Sequence, residues 1–263
     1  VLVLLEKVLE LTGLDFRQYS PASIQRRVQR RVEAEGVATA DDLRSLIAEN
    51  SSALQRLVEA LTVPVTSMFR DPSFFREFRT QAVPLLRTHP FLRLWVAGCS
   101  TGEEVYSLAI LLHEEGLYER SRIYATELQP AALARAMNGI YTLTSMREYT
   151  QNYQESGGVA DFSEYYAADS HAARIRPFLR QNVVFAAHNL VSDRSFNEFH
   201  VVFCRNVMIY FNRELQERVH ELIYDSLAMY GYLGLGRSES VRFSNREECY
   251  EQKESVRLYR KIR

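Results

Sequence analysis

Cysteine is scarce: three in 263 residues, at Cys99, Cys204 and Cys249. An odd number at such wide spacing builds neither a disulfide framework nor a zinc site, and it points to a reducing compartment, the cytoplasm. Long apolar runs are missing as well. The opening Val1-Leu2-Val3-Leu4-Leu5 gives way at once to Glu6 and Lys7, too short for a membrane span or a signal peptide, and it reads as the buried start of a helix. No methionine precedes Val1, so the chain is expected to be a piece of a longer protein. An excess of one charge is also lacking: 32 Lys and Arg stand against 33 Asp and Glu, which leaves no global field to recruit nucleic acid or insert into an anionic membrane. Any basic surface must be local. Internal repeats and low-complexity tracts are absent, and no spacing suggests a metal site.

What is present is 46% hydrophobic content, enough for a full core in two unequal domains. Residues 1–88 carry helical periodicity, with Ile24, Val28 and Val32 four apart and Leu54, Leu57, Val58 and Leu61 on another face. The expectation is a small all-helical N-terminal domain of four short helices with the interdomain linker. Ser20-Pro21 offers a helix start, Thr39 with Asp42 a capping box, and Gly13 and Gly36 helix stops. From residue 89 to 263 short apolar runs alternate with amphipathic segments, which predicts an α/β, Rossmann-like domain. Strands are expected near 92–97, 122–126, 183–187, 199–204, 231–236 and 256–261, and helices near 103–115, 130–138 and 213–229. The stretch 141–181 is too long for a loop and reads as an insertion with a small β element.

After the strand ending at Ala97 comes Gly98-Cys99-Ser100-Thr101-Gly102, and Glu103 opens a helix whose apolar positions are Val105, Leu108, Ala109 and Leu112. Such a strand-turn-helix serves NAD, FAD and S-adenosylmethionine alike, because glycines let the backbone approach a ligand. The acids narrow the choice. Glu103-Glu104 would repel a pyrophosphate and attract a methionyl ammonium, and Glu127, ending the next strand, stands where a ribose-binding carboxylate belongs.

Further motifs then line up. Tyr19 to Arg31 carries an arginine-rich helix; Val65-Thr66-Ser67-Met68-Phe69-Arg70-Asp71, Gly98 to Glu104, His188-Asn189-Leu190, Cys204-Arg205-Asn206-Val207-Met208-Ile209-Tyr210-Phe211 and Gly231 to Ser240 follow in order. Over nearly the whole chain this resembles the CheR family of chemotaxis receptor methyltransferases. The resemblance implies S-adenosylmethionine as methyl donor, S-adenosylhomocysteine as product, and glutamate side chains of a chemoreceptor's cytoplasmic helical domain as acceptors, acted on by a cytoplasmic monomer. It carries cofactor contacts onto Thr66, Arg70, Gly98, Glu103, Glu127, Asn189, Leu190, Arg205 and Asn206. Two departures stand out: Pro64 removes a donor, and Glu127 replaces the shorter Asp.

The acceptor implied is a carboxylate already ionised at neutral pH, so the chemistry needs positioning rather than a general base. By resemblance Arg93 and Tyr210 are the positioners. Arg26, Arg27, Arg30 and Arg31 form one helical stripe; in a glutamate methyltransferase this stripe can dock an anionic helix. Two other readings compete. A nucleic-acid or small-molecule methyltransferase is disfavoured because Cys204-Arg205-Asn206-Val207 stands where base methyltransferases carry Asn/Asp-Pro-Pro-Tyr/Phe. A non-enzymatic cofactor sensor or scaffold would lose the positioners or the stripe, and both are present.

Overall fold

The computed structural model describes residues 1–62, 66–242, 244–253 and 256–263, with the backbone alone at residue 253; Pro64 therefore lies outside the described residues. Two compact units emerge: Val1–Val63 with Met208–Val219, and Pro64–Val207 with His220–Arg263.

The first unit holds helices α1 (Leu2–Thr12), α2 (Pro21–Glu35), α3 (Ala40–Glu49) and α4 (Ser51–Thr62). The apolar line Ile24, Val28 and Val32 is buried, as are Leu4, Leu5, Val8, Leu43, Ile47 and Leu57. The Thr39–Asp42 capping box forms, and Gly13 and Gly36 end α1 and α2 in the left-handed region, where glycine alone pays no Cβ penalty. Ser20 caps differently from expectation: its side chain makes no cap bond, and its amide instead donates to the Tyr210 carbonyl at 2.8 Å. The Met208–Val219 segment is tied in by an antiparallel bridge between Tyr19 and Phe211.

The second unit begins with α5 (Pro72–Gln81) and α6 (Val83–Leu86). The sequence reading gave both to the helical domain by placing its boundary at 88/89, but Phe74, Phe75 and Phe78 pack their rings on Phe203 of the sheet. That aromatic burial, a few kcal/mol for each ring, assigns them to the α/β unit. There follow β1 (Leu92–Ala97), α7 (Glu103–Glu114), β2 (Ser121–Glu127), α8 (Pro130–Asn138), β3 (Ile140–Thr142), α9 (Leu143–Glu155), β4 (Tyr166–Ala168), β5 (Ala172–Ile175), β6 (Val183–Ala187), β7 (Phe199–Cys204), α10 (Arg213–Ser226), β8 (Leu227–Leu235), β9 (Tyr250–Lys253) and β10 (Leu258–Lys261). The order is β6-β2-β1-β7-β8-β10-β9 in one sheet and β3-β5-β4 in a second. Strands β6 to β8 run parallel, while β10 is antiparallel to both its neighbours.

This is the expected Rossmann-like α/β fold with a small β insertion. The insertion also contains α9, a helix of 13 residues that the sequence reading missed, and β9 was not expected. Because β1 pairs with β2 on one side and β7 on the other, the strand order switches direction between β1 and β7. A crevice at the carboxyl ends of the strands opens at such a point.

Candidate active site

Loops leaving β1, β2, β6, β7 and β8 all emerge at the carboxyl end of the parallel strands. Two of them, with the segment 66–71, hold the backbone in unusual shapes. Phe69, Asp71, Ser100 and Asn206 are non-glycine residues with φ of 50°, 58°, 51° and 60°, beside Gly98 at 71° and Gly102 at 95°. Strain of this kind persists only where the surroundings fix it, and it gathers at functional sites.

Side chains supply that fixing. Glu127 accepts from the amides of Ser100 at 2.9 Å, Leu128 at 2.7 Å and Gln129 at 3.0 Å. Three of its roughly four lone-pair positions are thereby used, and the remainder is left on Oε2 for a hydroxyl donor such as a ribose. Glu239 accepts from Asn206 N and Gly236 N at 2.7 Å and from Val207 N at 2.9 Å, pinning the left-handed Asn206. Phe69 N donates to Ser107 Oγ at 2.8 Å, and that hydroxyl donates to the Glu103 carbonyl at 2.7 Å.

Glu103 starts α7 and is only 5% exposed. Its carboxylate accepts from Thr101 Oγ at 2.7 Å and Tyr149 Oη at 3.2 Å, two neutral hydroxyls. Burial pushes its carboxyl above the ordinary value, with those hydroxyls pulling the other way. Arg135 is the nearby cation that favours the ionised form of Glu103, and a further cation at this carboxylate would favour it more. The Ser100 hydroxyl is also buried and makes no hydrogen bond, a second polar group facing this loop with a vacancy for a ligand. The chemistry of these donors and acceptors fits a cationic, hydroxyl-bearing ligand such as S-adenosylmethionine.

The other expected contacts fall as follows. Arg205 follows β7, and its guanidinium donates to Glu104 at 2.6 Å, to Asp71 at 2.9 Å and to the Arg70 carbonyl at 2.9 Å, over the Phe74 ring at 4.2 Å. These bonds are structural, and they join three segments of the site. Arg70 lies close enough to Glu104 to favour its ionised form, although burial dominates and pushes Glu104 up. Asn189, past β6, uses its side-chain oxygen to accept from Val191 N at 2.9 Å, shaping the turn that carries Leu190. Thr66 is half-buried at the head of the 66–71 segment.

Two candidates stand apart. Arg93 is a correction: it lies near the amino end of β1, five residues and about 16 Å from Gly98 at strand rise. Its Nε donates to the Glu198 carbonyl at 2.6 Å, with the Glu198 carboxylate 3.8 Å away. An arginine held there cannot serve the crevice. Tyr210 belongs to the helical unit, where the Arg27 guanidinium sits 4.6 Å above its ring. In that unit Arg26, Arg27, Arg30 and Arg31 line one groove of about 420 Å³ with Tyr210, so the stripe is real but not uniform. Arg27 is buried and bonded to the Leu61 carbonyl, Arg31 pairs with Glu35 at 3.2 Å, and Arg26 and Arg30 are exposed.

Glu104 and Glu239 were not singled out as site residues by the sequence reading. Both sit inside motifs it used, but their partners come from 101 and 32–33 residues away, a distance no local spacing encodes.

Gly98 is constrained by shape. A Cβ there would stand 2.7 Å from Val207 Cγ2, at a φ of 71° that disfavours any other residue. Gly98→Ala is expected to cost about 1–3 kcal/mol in urea titration and to weaken cofactor binding, and a second change of Val207→Ala should recover part of both.

Residues 64–257 match the family model for the CheR methyltransferase, SAM binding domain, and residues 3–62 that for the CheR methyltransferase, all-alpha domain. The chain is 47% identical over 249 residues to "Putative methyltransferase Cher3" of Pseudomonas putida, covering 95% of this chain and 91% of that protein. It is 30% identical over 258 residues to "Chemotaxis protein methyltransferase 1" of Pseudomonas aeruginosa, covering 91% and 88%. Among solved structures, the N-methyltransferase NodS from Bradyrhizobium japonicum, in complex with S-adenosyl-l-homocysteine, aligns with a TM-score of 0.34 at 15% identity, over 62% of this chain and 61% of that one. The two family models together run from residue 3 to residue 257, and the chain belongs to the CheR family of S-adenosylmethionine-dependent methyltransferases.

Proposed function

We propose that the protein forms methyl esters on glutamate side chains of chemoreceptors, leaving S-adenosylhomocysteine. The observation that carries the reading is the buried carboxylate of Glu103 at the start of α7, held by two hydroxyls within a chain of this family. Bound S-adenosylmethionine supplies an activated methyl group on a sulfonium. The protein's own part is to hold and orient. Glu103 would hold the methionyl ammonium of the donor and Glu127 its ribose, beside the pinned 98–102 and 205–207 backbones. The acceptor carboxylate is ionised at neutral pH and needs no base. Aligning it and excluding water can supply several kcal/mol of barrier lowering.

Arg70, whose carbonyl accepts from the Arg205 that follows β7, is at the carboxyl end of the sheet and is proposed for the positioning role in place of Arg93; a guanidinium there can orient a carboxylate by charged hydrogen bonds. Tyr210 keeps its role as second positioner on the strength of its motif. Exposed Arg26 and Arg30 supply the steering charge for an anionic receptor helix. The relatives named as chemotaxis methyltransferases support the receptor as acceptor and the cytoplasm as the place of action; among the described residues no helix is long and apolar enough to cross a membrane.

The test is methylation of candidate receptors with radiolabelled S-adenosylmethionine, followed by mild alkali. A glutamate ester releases its label as methanol. Label that survives alkali would point to N-methylation and overturn the reading.

A further inference from the structure

A second concave surface in the sheet unit has no role in the scheme above. It is a groove of about 560 Å³ between the start of α5, the end of β8 and the approach to β10, with Phe74, Leu235 and Val256 as apolar walls and Arg205, Arg237 and Arg257 as charged ones. Among the described residues that line it, Asp71 is the one acid, and its carboxylate is engaged by Arg205 at 2.9 Å. Arg237 is exposed and Arg257 half-buried; Arg257 Nε donates to the Arg237 backbone carbonyl at 3.4 Å, which ties the Arg257 guanidinium to the segment that carries Arg237. Neither is paired with a carboxylate of the described residues. At the back, the Arg205 side chain is 1% exposed, and its Nε makes no hydrogen bond.

The groove opens at the same end of the sheet as the cofactor loop, since Leu235 ends β8 and Arg205 follows β7. Its charge calls for an anion, and its apolar walls call for one on a hydrocarbon stem. We propose that it binds an acidic side chain of the acceptor protein that flanks the glutamate to be methylated, so that the enzyme reads local acidity and not the target residue alone. Aspartate or glutamate three or four residues along a helical acceptor lies on the same face as the target. Arg237 and Arg257 attract it, and the methylene stem covers Phe74 and Leu235. This rests on the glutamate-acceptor reading.

The experiment compares two short helical peptides by fluorescence anisotropy in the presence of S-adenosylhomocysteine: one with a central glutamate flanked by glutamates, and its twin flanked by glutamines. The wild-type protein should bind the acidic peptide roughly tenfold more tightly, as rim charge pairs allow. The variant carrying Arg237→Glu and Arg257→Glu should lose that preference, the variant with Arg237→Lys and Arg257→Lys should keep most of it, and both should match wild type in S-adenosylhomocysteine affinity and melting temperature. Equal binding of the two peptides by wild type, or an undiminished preference in the reversed-charge variant, would overturn the proposal. Displacement by inorganic phosphate at matched concentration would also overturn it, marking a site for free anions. The same peptides with labelled donor keep the two readings apart. Discrimination without alkali-labile label sinks the glutamate reading and leaves the groove; alkali-labile label without discrimination sinks the groove.

Discussion

Replacing Glu103 by alanine is expected to weaken S-adenosylmethionine binding by one to two orders of magnitude in calorimetry, the worth of a charged hydrogen bond in a buried site. Glu103→Gln keeps an acceptor for Thr101 but removes the charge, and it should lose nearly as much. Unchanged affinity in both would mean that the ammonium sits elsewhere. The pH dependence follows from the raised carboxyl of Glu103. In the free protein a raised acid contributes stability that is fully present below the ordinary glutamate value near 4.5 and is lost as pH rises through the folded-state value. A bound ammonium prefers the ionised form, so affinity should climb across that same window, with proton release on binding, and level off above it.

Arg205→Met should produce the other large effect. It strands Glu104 and Asp71, which donate nothing in return, beside a ring-lined pocket made for a guanidinium. Removing one partner of a buried ion pair costs about 3–5 kcal/mol, read as a lower urea midpoint. Combining it with Glu104→Gln should cost less than the sum of the two single changes, because the uncompensated charge is gone. A strictly additive double variant would show that the pair is not coupled.

How much of this was legible in the sequence depended on distance along the chain. The strand-turn-helix around Gly98 and the acids Glu103 and Glu127 are local patterns, and the structure places them together at the switch between β1 and β7. The buried line of α2 and the Thr39–Asp42 box were legible for the same reason. Arg93 was misplaced although the sequence held the warning: a residue at the start of a parallel strand is carried away from the loop at its end. The α5 helix is amphipathic and reads as one more helix of the N-terminal set, and only its contacts with Phe203 assign it to the sheet. Glu239 and Arg205 act through partners far along the chain. The short strands β3, β4, β5 and β9 have three or four residues each, too few to show a period of two.

Loops are ordinarily the parts of a protein that open first, because their amides face water and their apolar contacts are few. Here the loops that form the crevice give their amides to carboxylates and hydroxyls from other segments, Ser100 to Glu127, Phe69 to Ser107, Asn206 and Val207 to Glu239, while Gly236 closes a local turn onto the same Glu239. Local opening of one of these loops strands the acceptor that holds it, half-buried Glu127, buried Ser107 or buried Glu239, so each opening carries the cost of an unpaired polar group.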